Sequence, residues 1–224
     1  MDPISERYLE NTKNQLLYIS VSFLLTLLLA FLSLGLGSST SLDLFTTIKI
    51  LFGFETGSEM QLAIIWDIRF PRILMAIVGG AALAIAGSLM QGCLGNPLVS
   101  PLTLGVASGA ALGAAMAMVF EFSINSNSDL ATVANAFIFS LIVVAVIIQL
   151  GNFRSVSAES YILVGIAVTF IAGALVSIMQ YFATDTQLSQ LAHWSFGSLS
   201  RPTLVKSLWI SVALIGLLPS ALKK

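Results

Sequence analysis

The apolar run at residues 16–36, LLYISVSFLLTLLLAFLSLGL, leaves few options to any chain that contains it. At about 1.5 Å per residue, a helix of that length crosses a hydrocarbon core of about 30 Å. It exceeds the ~7–15 residues of a signal-peptide core, so it reads as a retained membrane span. Comparable runs follow at 73–93, from the turn after Pro101 to about Phe122, at 130–150 and at 161–182, with a shorter one at 204–220. The expected fold is therefore an all-α polytopic membrane protein with six transmembrane helices. Composition agrees: apolar residues make up 57% of the chain and charged residues 9%, against about 45–50% and about 25% in soluble domains.

Small residues recur on these helices at helical spacing. Ala76, Gly80, Ala84, Ser88 and Gly92 fall every fourth residue, and Gly105, Gly109 and Gly113 continue the pattern on the next helix. In lipid, helices associate by close backbone approach along such faces, and glycine otherwise costs a helix about 1 kcal/mol per residue. The repetition argues for tight packing. A third face, Gly165, Thr169, Gly173 and Ser177, lies on the fifth run and suits either packing or the lining of a pathway.

Between the spans, residues 38–68 are expected to leave the bilayer, with Ser41 as N-cap of a short helix over 42–52 that Gly53 and Gly57 close, lying at the membrane surface. A polar connector over 183–203 contains WSFGSL at 194–199. Six spans place both termini on one side. The positive-inside rule does not choose that side, since Arg7, Lys13, Arg154, Lys223 and Lys224 stand against Lys49, Arg69, Arg72, Arg201 and Lys206.

Several functions are excluded or unsupported. The net charge is −1 with no basic cluster, which gives nucleic acid no electrostatic footprint. Cys93 is the single cysteine and has no internal disulfide partner; it reads as a small apolar packing residue. His193 is the single histidine, the GVASG at 105–109 is one residue too long for a serine-protease GxSG, and no phosphate-cradling GxxxxGK[ST] occurs. No catalytic residue, metal or cofactor is implied. The span centres carry no ionisable groups, which argues against an ion-coupled carrier.

The run RFPR at 69–72, the glycine-alanine helix after it, the turn QGCLGNPL at 91–98 and the helix LGVASGAALG at 104–113 together resemble the FecCD-type permease of binding-protein-dependent ABC importers for iron-siderophore, haem and cobalamin. The resemblance implies a prokaryotic cell-membrane permease with cytoplasmic termini, an ABC ATPase subunit and an extracytoplasmic substrate-binding protein as partners, and a homodimer or a second permease beside it. It implies that Arg69 and Arg72 dock glutamates of the binding protein, and that Asn96 and Leu98, with Ser157 and Glu159, contribute to the cytoplasmic gate. Glu159 departs from the small polar residue expected there. The face Gly165, Thr169, Gly173, Ser177 would line the pathway, and 194–199 would form a short extracytoplasmic helix after the fifth span.

The family pattern has ten helices, and this chain resembles the first six. Residues 1–224 are accordingly expected to form one transmembrane permease domain that lacks the family's C-terminal part, including the segment that grips the ATPase. The alternative is a truncated or stand-alone six-span channel or interaction protein that does not couple to ATP. The substrate is not legible from an uncharged set of spans.

Overall fold

A computed structural model describes residues 3–37, 42–122, 128–152, 157–200 and 202–222. The described residues are helical throughout their ordered elements: α1 (Pro3–Gly35), α2 (Leu44–Leu51), α3 (Glu59–Ala63), a π-helical turn (Ile64–Arg69), α4 (Phe70–Leu94), α5 (Val106–Val119), α6 (Ser128–Asn152), α7 (Ala158–Phe182), α8 (Asp185–Phe196) and α9 (Leu204–Leu222). Among them, four helical stretches are long and apolar enough to cross a membrane: Asn11–Gly35, Glu59–Leu94, Leu130–Leu150 and Ala158–Phe182. The helices Val106–Val119 and Leu204–Pro219 are apolar but shorter. At 14 residues α5 rises about 21 Å, less than a bilayer core.

Contacts cluster into two units. The first comprises Met1–Val78 with Leu199–Gly216. Here α2 begins at Asp43, whose carboxylate accepts the Thr46 N–H at 2.9 Å. Asp43 thus supplies the cap expected of Ser41, which lies outside the described residues. The helix ends in a Schellman arrangement: Gly53 adopts φ +75°, its N–H bonds the Ile50 carbonyl, and Phe54 N–H bonds the Lys49 carbonyl. Leu42, Ile50 and Ile65 form the small core, with Leu51 and Ile64 against it.

The membrane helix expected from residue 73 begins much earlier. Ser58 caps α3, and Gln61 returns its side chain to the Ser58 N–H, a reciprocal capping box that starts the helix at Glu59. Helix then continues unbroken for 36 residues to Leu94. It passes Pro71 by way of the π turn, in which Phe70 N–H bonds the carbonyl of Ile65, five residues back. Proline lacks a ladder donor and crowds the carbonyl of the preceding turn, so a wider turn immediately before it is where the ladder can absorb the disruption. Arg69 and Arg72 therefore sit within a long helix, not at the mouth of one. Ser207 of α9 is fully buried and donates to the Pro71 carbonyl at 3.3 Å.

The second unit comprises Gly79–Ser198 with Leu217–Lys224. Its centre is α5, packed along α6 and against α7 and α8. A Cβ on Gly109 would lie 2.5 Å from Val143 Cγ2 and 3.1 Å from the Phe139 carbonyl oxygen, and one on Gly113 would collide with the backbone of Asn135. This glycine face is in backbone contact with α6, as expected of close packing in lipid. The side chain of Asn135 is buried and donates to the Phe122 carbonyl just past the end of α5. On α4, by contrast, Ala76, Gly80, Ala84, Ser88 and Gly92 are all exposed. A Cβ on Gly80 or Gly92 would meet nothing within 4 Å.

Candidate functional site

The residues from Gly95 to Gly105 form no helix, yet Val99, Leu104 and Gly105 among them are buried. Local hydrogen bonds shape them. Asn96 Oδ1 accepts the Leu98 N–H at 2.9 Å, a side-chain turn that suits the following proline geometry. Ser100 N–H donates to Thr103 Oγ1 at 2.8 Å, and Thr103 N–H returns to Ser100 Oγ at 3.2 Å. Gln91, in the last turns of α4, donates through Nε2 to the carbonyls of Pro97 and Val99 at 3.1 and 3.4 Å. Val99 is completely buried and Leu104 nearly so, covered by Met90, Leu94, Ile147, Tyr161, Ile162 and Val164 among others.

This turn rests on α7. A Cβ on Gly165 would stand 2.5 Å from the Thr103 carbonyl oxygen, and Gly105, at φ +75°, would put its Cβ 2.9 Å from the Gly165 carbonyl oxygen. Two glycines are thus required at the crossing, one for space and one for both space and backbone conformation. Thr169 closes the arrangement by donating to the Gly165 carbonyl at 2.9 Å. Farther along the same face the packing ends: Gly173 and Ser177 are exposed, and a Cβ on Gly173 would meet open space.

Near the other end of α5, α8 is seated by Leu191, buried against Ala115 and Met179. Its start is fixed by Thr184 and Gln187 in a second capping box, and Gln187 also donates to the Val119 carbonyl at 3.3 Å. Helix runs over Asp185–Phe196 and stops at Gly197, so the element expected at 194–199 is longer and begins about nine residues sooner. Between α5 and α8 opens a cleft of about 410 Å³ with Ala107, Ser108, Ala110, Ala111, Trp194 and Ser195 on its walls.

The arginine pair is divided. Arg69 is 7% exposed; its guanidinium donates to the carbonyls of Leu34 and Leu42, the latter at 3.3 Å, and to Thr47 Oγ1 at 3.5 Å. Arg72 is exposed and donates through Nε to the Leu199 carbonyl at 3.0 Å.

The FecCD transport family profile matches residues 25–223. The chain belongs to the FecCD transport family. Among FecCD-related proteins, it is 36% identical over 207 residues to the hemin transport system permease protein of Yersinia pestis, covering 89% of this chain and 60% of that one. It is 35% identical over 208 residues to the molybdate import system permease protein of Haemophilus influenzae, covering 87% and 58%. It is 34% identical over 147 residues to the vitamin B12 import system permease protein of Vibrio cholerae, covering 66% and 44%. A solved inward-facing structure of a metal-chelate type ABC transporter superposes with a TM-score of 0.68 at 31% identity, over 86% of this chain and 57% of that chain. The chain thus spans up to about three fifths of the length of these relatives.

Within this FecCD chain the expected gate residues occupy distinct settings. Asn96 is half-buried and shapes the turn, whereas Leu98 is 77% exposed. Ser157 and Glu159 are exposed at the start of α7; Ser157 takes an N-cap backbone conformation, and its hydroxyl lies 3.3 Å from that of Ser160. Tyr161, Ile162 and Val164 bring this end of α7 onto the turn through Val99 and Leu104. Among the described residues, no three His, Cys, Asp or Glu side chains are grouped to hold a metal. Two participants escape a reading of the sequence alone. Gln91 stands in the quoted turn motif, and its spacing from Pro97 was the available signal; Ser207 carries none, because its partner Pro71 is remote in the chain.

Proposed function

We propose that this chain is a membrane-spanning permease subunit of an ABC importer that receives an iron-siderophore, haem, cobalamin or related substrate from an extracytoplasmic binding protein. In this reading a separate ATPase subunit hydrolyses ATP, and the permease works as a homodimer or beside a second permease in a prokaryotic inner or plasma membrane, with cytoplasmic termini. The four long spans are joined by α5 and α9 to make six crossings. The short α5 gains reach from the turn that precedes it, anchored by buried Val99 and Leu104, since non-helical backbone is tolerated at membrane depth where protein covers it.

The observation that carries this reading is the family match over residues 25–223. It has structural support in the packed turn, whose Asn96 and Ser100–Thr103 bonds and whose seat on Gly165 give the start of α7 a rigid neighbour. Asn96 and Leu98 from the turn, with Ser157 and Glu159 from α7, form the cytoplasmic gate in this proposal. The exposed half of the α7 face, Gly173 and Ser177, lines the pathway, while Gly165 and Thr169 hold the packing half.

The test is reconstitution of the chain, with the family's C-terminal part supplied in trans, together with the ATPase and binding protein encoded in the same genome, followed by uptake of labelled hemin, cyanocobalamin, a ferric siderophore and molybdate. ATP-dependent accumulation of one of these is expected when the full set of subunits is supplied. Failure of that assembly to associate with either partner protein would overturn the reading.

A further inference from the structure

Helix α1 keeps its apolar surface outward to the very end of its span. None of the residues over Asn11–Gly35 is buried, and Leu28, Leu29, Phe31, Leu32 and Leu36 are all exposed. On a spanning helix such side chains are solvated by lipid. Gly35, in the last turn, lies directly against α2: a Cβ there would stand 2.5 Å from Leu44 Cα. The start of α2 is therefore held at the level where α1 leaves the hydrocarbon.

One face of α2 serves the core of its unit, where Thr47 and Ile50 are buried beside Leu42 and Ile65. Phe45, Lys49 and Phe52, at i, i+4 and i+7, share the opposite face. At Gly53, with φ +75°, the chain turns back, and the N–H groups of Phe54 and Glu55 both bond the Lys49 carbonyl, at 2.8 and 3.3 Å. The turn brings the Phe54 ring within 6.5 Å of the Phe52 ring and the Glu55 carboxylate within 3.7 Å of Lys49 Nζ. That ammonium in turn sits 5.8 Å from the centre of the Phe45 ring.

The result is an aromatic ridge that the fold of its own unit does not use. Phe45, Phe52 and Phe54 are 71%, 69% and 81% exposed, and none of them belongs to the apolar core of Leu42, Ile50 and Ile65. Its one cation is matched by Glu55, so the ridge offers a partner apolar rings and no net charge. An apolar surface continuous with the lipid-covered end of α1 is suited to the boundary between headgroups and acyl chains, where aromatic side chains enter and charged ones stay at the polar level.

We propose that α2 and residues 52–55 form an interfacial anchor: Phe45, Phe52 and Phe54 insert into the headgroup boundary of the bilayer that α1 crosses, with the Lys49–Glu55 pair at headgroup level. The surface location expected of this segment thus acquires a specific chemistry, an apolar one that requires no anionic lipid. The inference rests on α1 spanning a membrane and is independent of what the chain transports.

The experiment places the full chain in nanodiscs containing a phosphatidylcholine with a photoreactive diazirine near the glycerol end of one acyl chain, and maps the labelled residues by mass spectrometry. Phe45, Phe52 and Phe54 should be labelled and Thr47 and Ile50 spared, to the same extent in pure phosphatidylcholine and with phosphatidylglycerol added. The combined variant Phe45→Ser, Phe52→Ser, Phe54→Ser should lose the α2 label several-fold and keep the label on residues 24–32 of α1, whereas replacing the same three residues by Trp should retain both. Should the serine variant fail to fold, labelling of the parent decides. Label on α1 with none on the ridge would overturn the anchor, as would ridge labelling that appears only with anionic lipid. Loss of the ridge label on adding the binding protein or the family's C-terminal part would assign the face to a protein partner and overturn it too.

Discussion

Gly165 and Thr103 meet with no room for a side chain between them: a Cβ on Gly165 would lie 2.5 Å from the Thr103 carbonyl oxygen and 2.6 Å from Leu104 Cα. Replacing that glycine by alanine improves helix propensity by about 1 kcal/mol. It also overpacks a site whose neighbours are backbone, at a cost of about 1–3 kcal/mol or more. Gly165→Ala is therefore expected to lower the melting temperature in detergent and to speed amide exchange in residues 100–105. A melting temperature at or above the parent's would show that the turn does not rest on α7.

The two glycine faces with the same spacing should respond oppositely. Gly109→Leu drives a branched side chain into Val143 and the Phe139 carbonyl, so it should destabilise the α5 and α6 pair by about 3 kcal/mol, toward the upper end of overpacking effects. Gly80→Leu meets open space on α4 and replaces a poor helix former with a good one, so it should leave stability of the isolated chain unchanged or raise it by up to about 1 kcal/mol. Equal melting losses in both variants would contradict this contrast.

That contrast also marks what the sequence can disclose. Gly105, Gly109 and Gly113 announce close packing by spacing alone, Gly165 lies on a face whose spacing suits packing or a pathway, and each of the four is in backbone contact in the fold. The α4 face has the same signature and is exposed, because periodicity states that a face is smooth and says nothing of which helix covers it. The start signals of α3 and α8 were present as Ser58 with Gln61 and Thr184 with Gln187, yet both lie in polar stretches that read as connector when hydropathy leads the argument. Arg69 and Arg72 look like a matched pair three residues apart. Their division comes from Leu34, Leu42, Thr47 and Leu199, which no local pattern ties to them. Asn96 was legible as a turn former, while the exposure of Leu98 beside buried Val99 was not.

A pH dependence follows from the cap of α2. Hydrogen bonds from Thr46, through its side chain and its backbone N–H, hold the Asp43 carboxyl below its usual range. A folded-state pKa depressed in this way makes the cap's contribution fully present above the ordinary aspartate value and lost as pH falls through the depressed one. Amide exchange over Leu44–Leu51 should accordingly quicken on acidification below the usual carboxylate range. Asp43→Asn, which keeps an accepting oxygen and cannot ionise, should remove that acid-induced step. An unchanged acid-induced step in Asp43→Asn would place its origin in another group.

Gln91 offers the sharpest test of how the Asn96–Thr103 turn is held, because its role depends on donors. Its Nε2 bonds the carbonyls of Pro97 and Val99, and an ionised glutamate of nearly the same shape has no hydrogen to give either of them. Gln91→Glu should therefore set a carboxylate against two carbonyl oxygens, whereas Gln91→Met removes the donors without adding repulsion. Loss of the bonds alone is expected to cost about 0.5–1.5 kcal/mol, and Gln91→Glu should cost more than Gln91→Met at neutral pH. Acidification that protonates the introduced glutamate restores one donor and should narrow the gap between the two variants. Thermal melting of both in detergent across that pH range checks the order; a Gln91→Glu chain as stable as its parent at neutral pH would show that the turn is held by Val99 and Leu104 packing without help from Gln91.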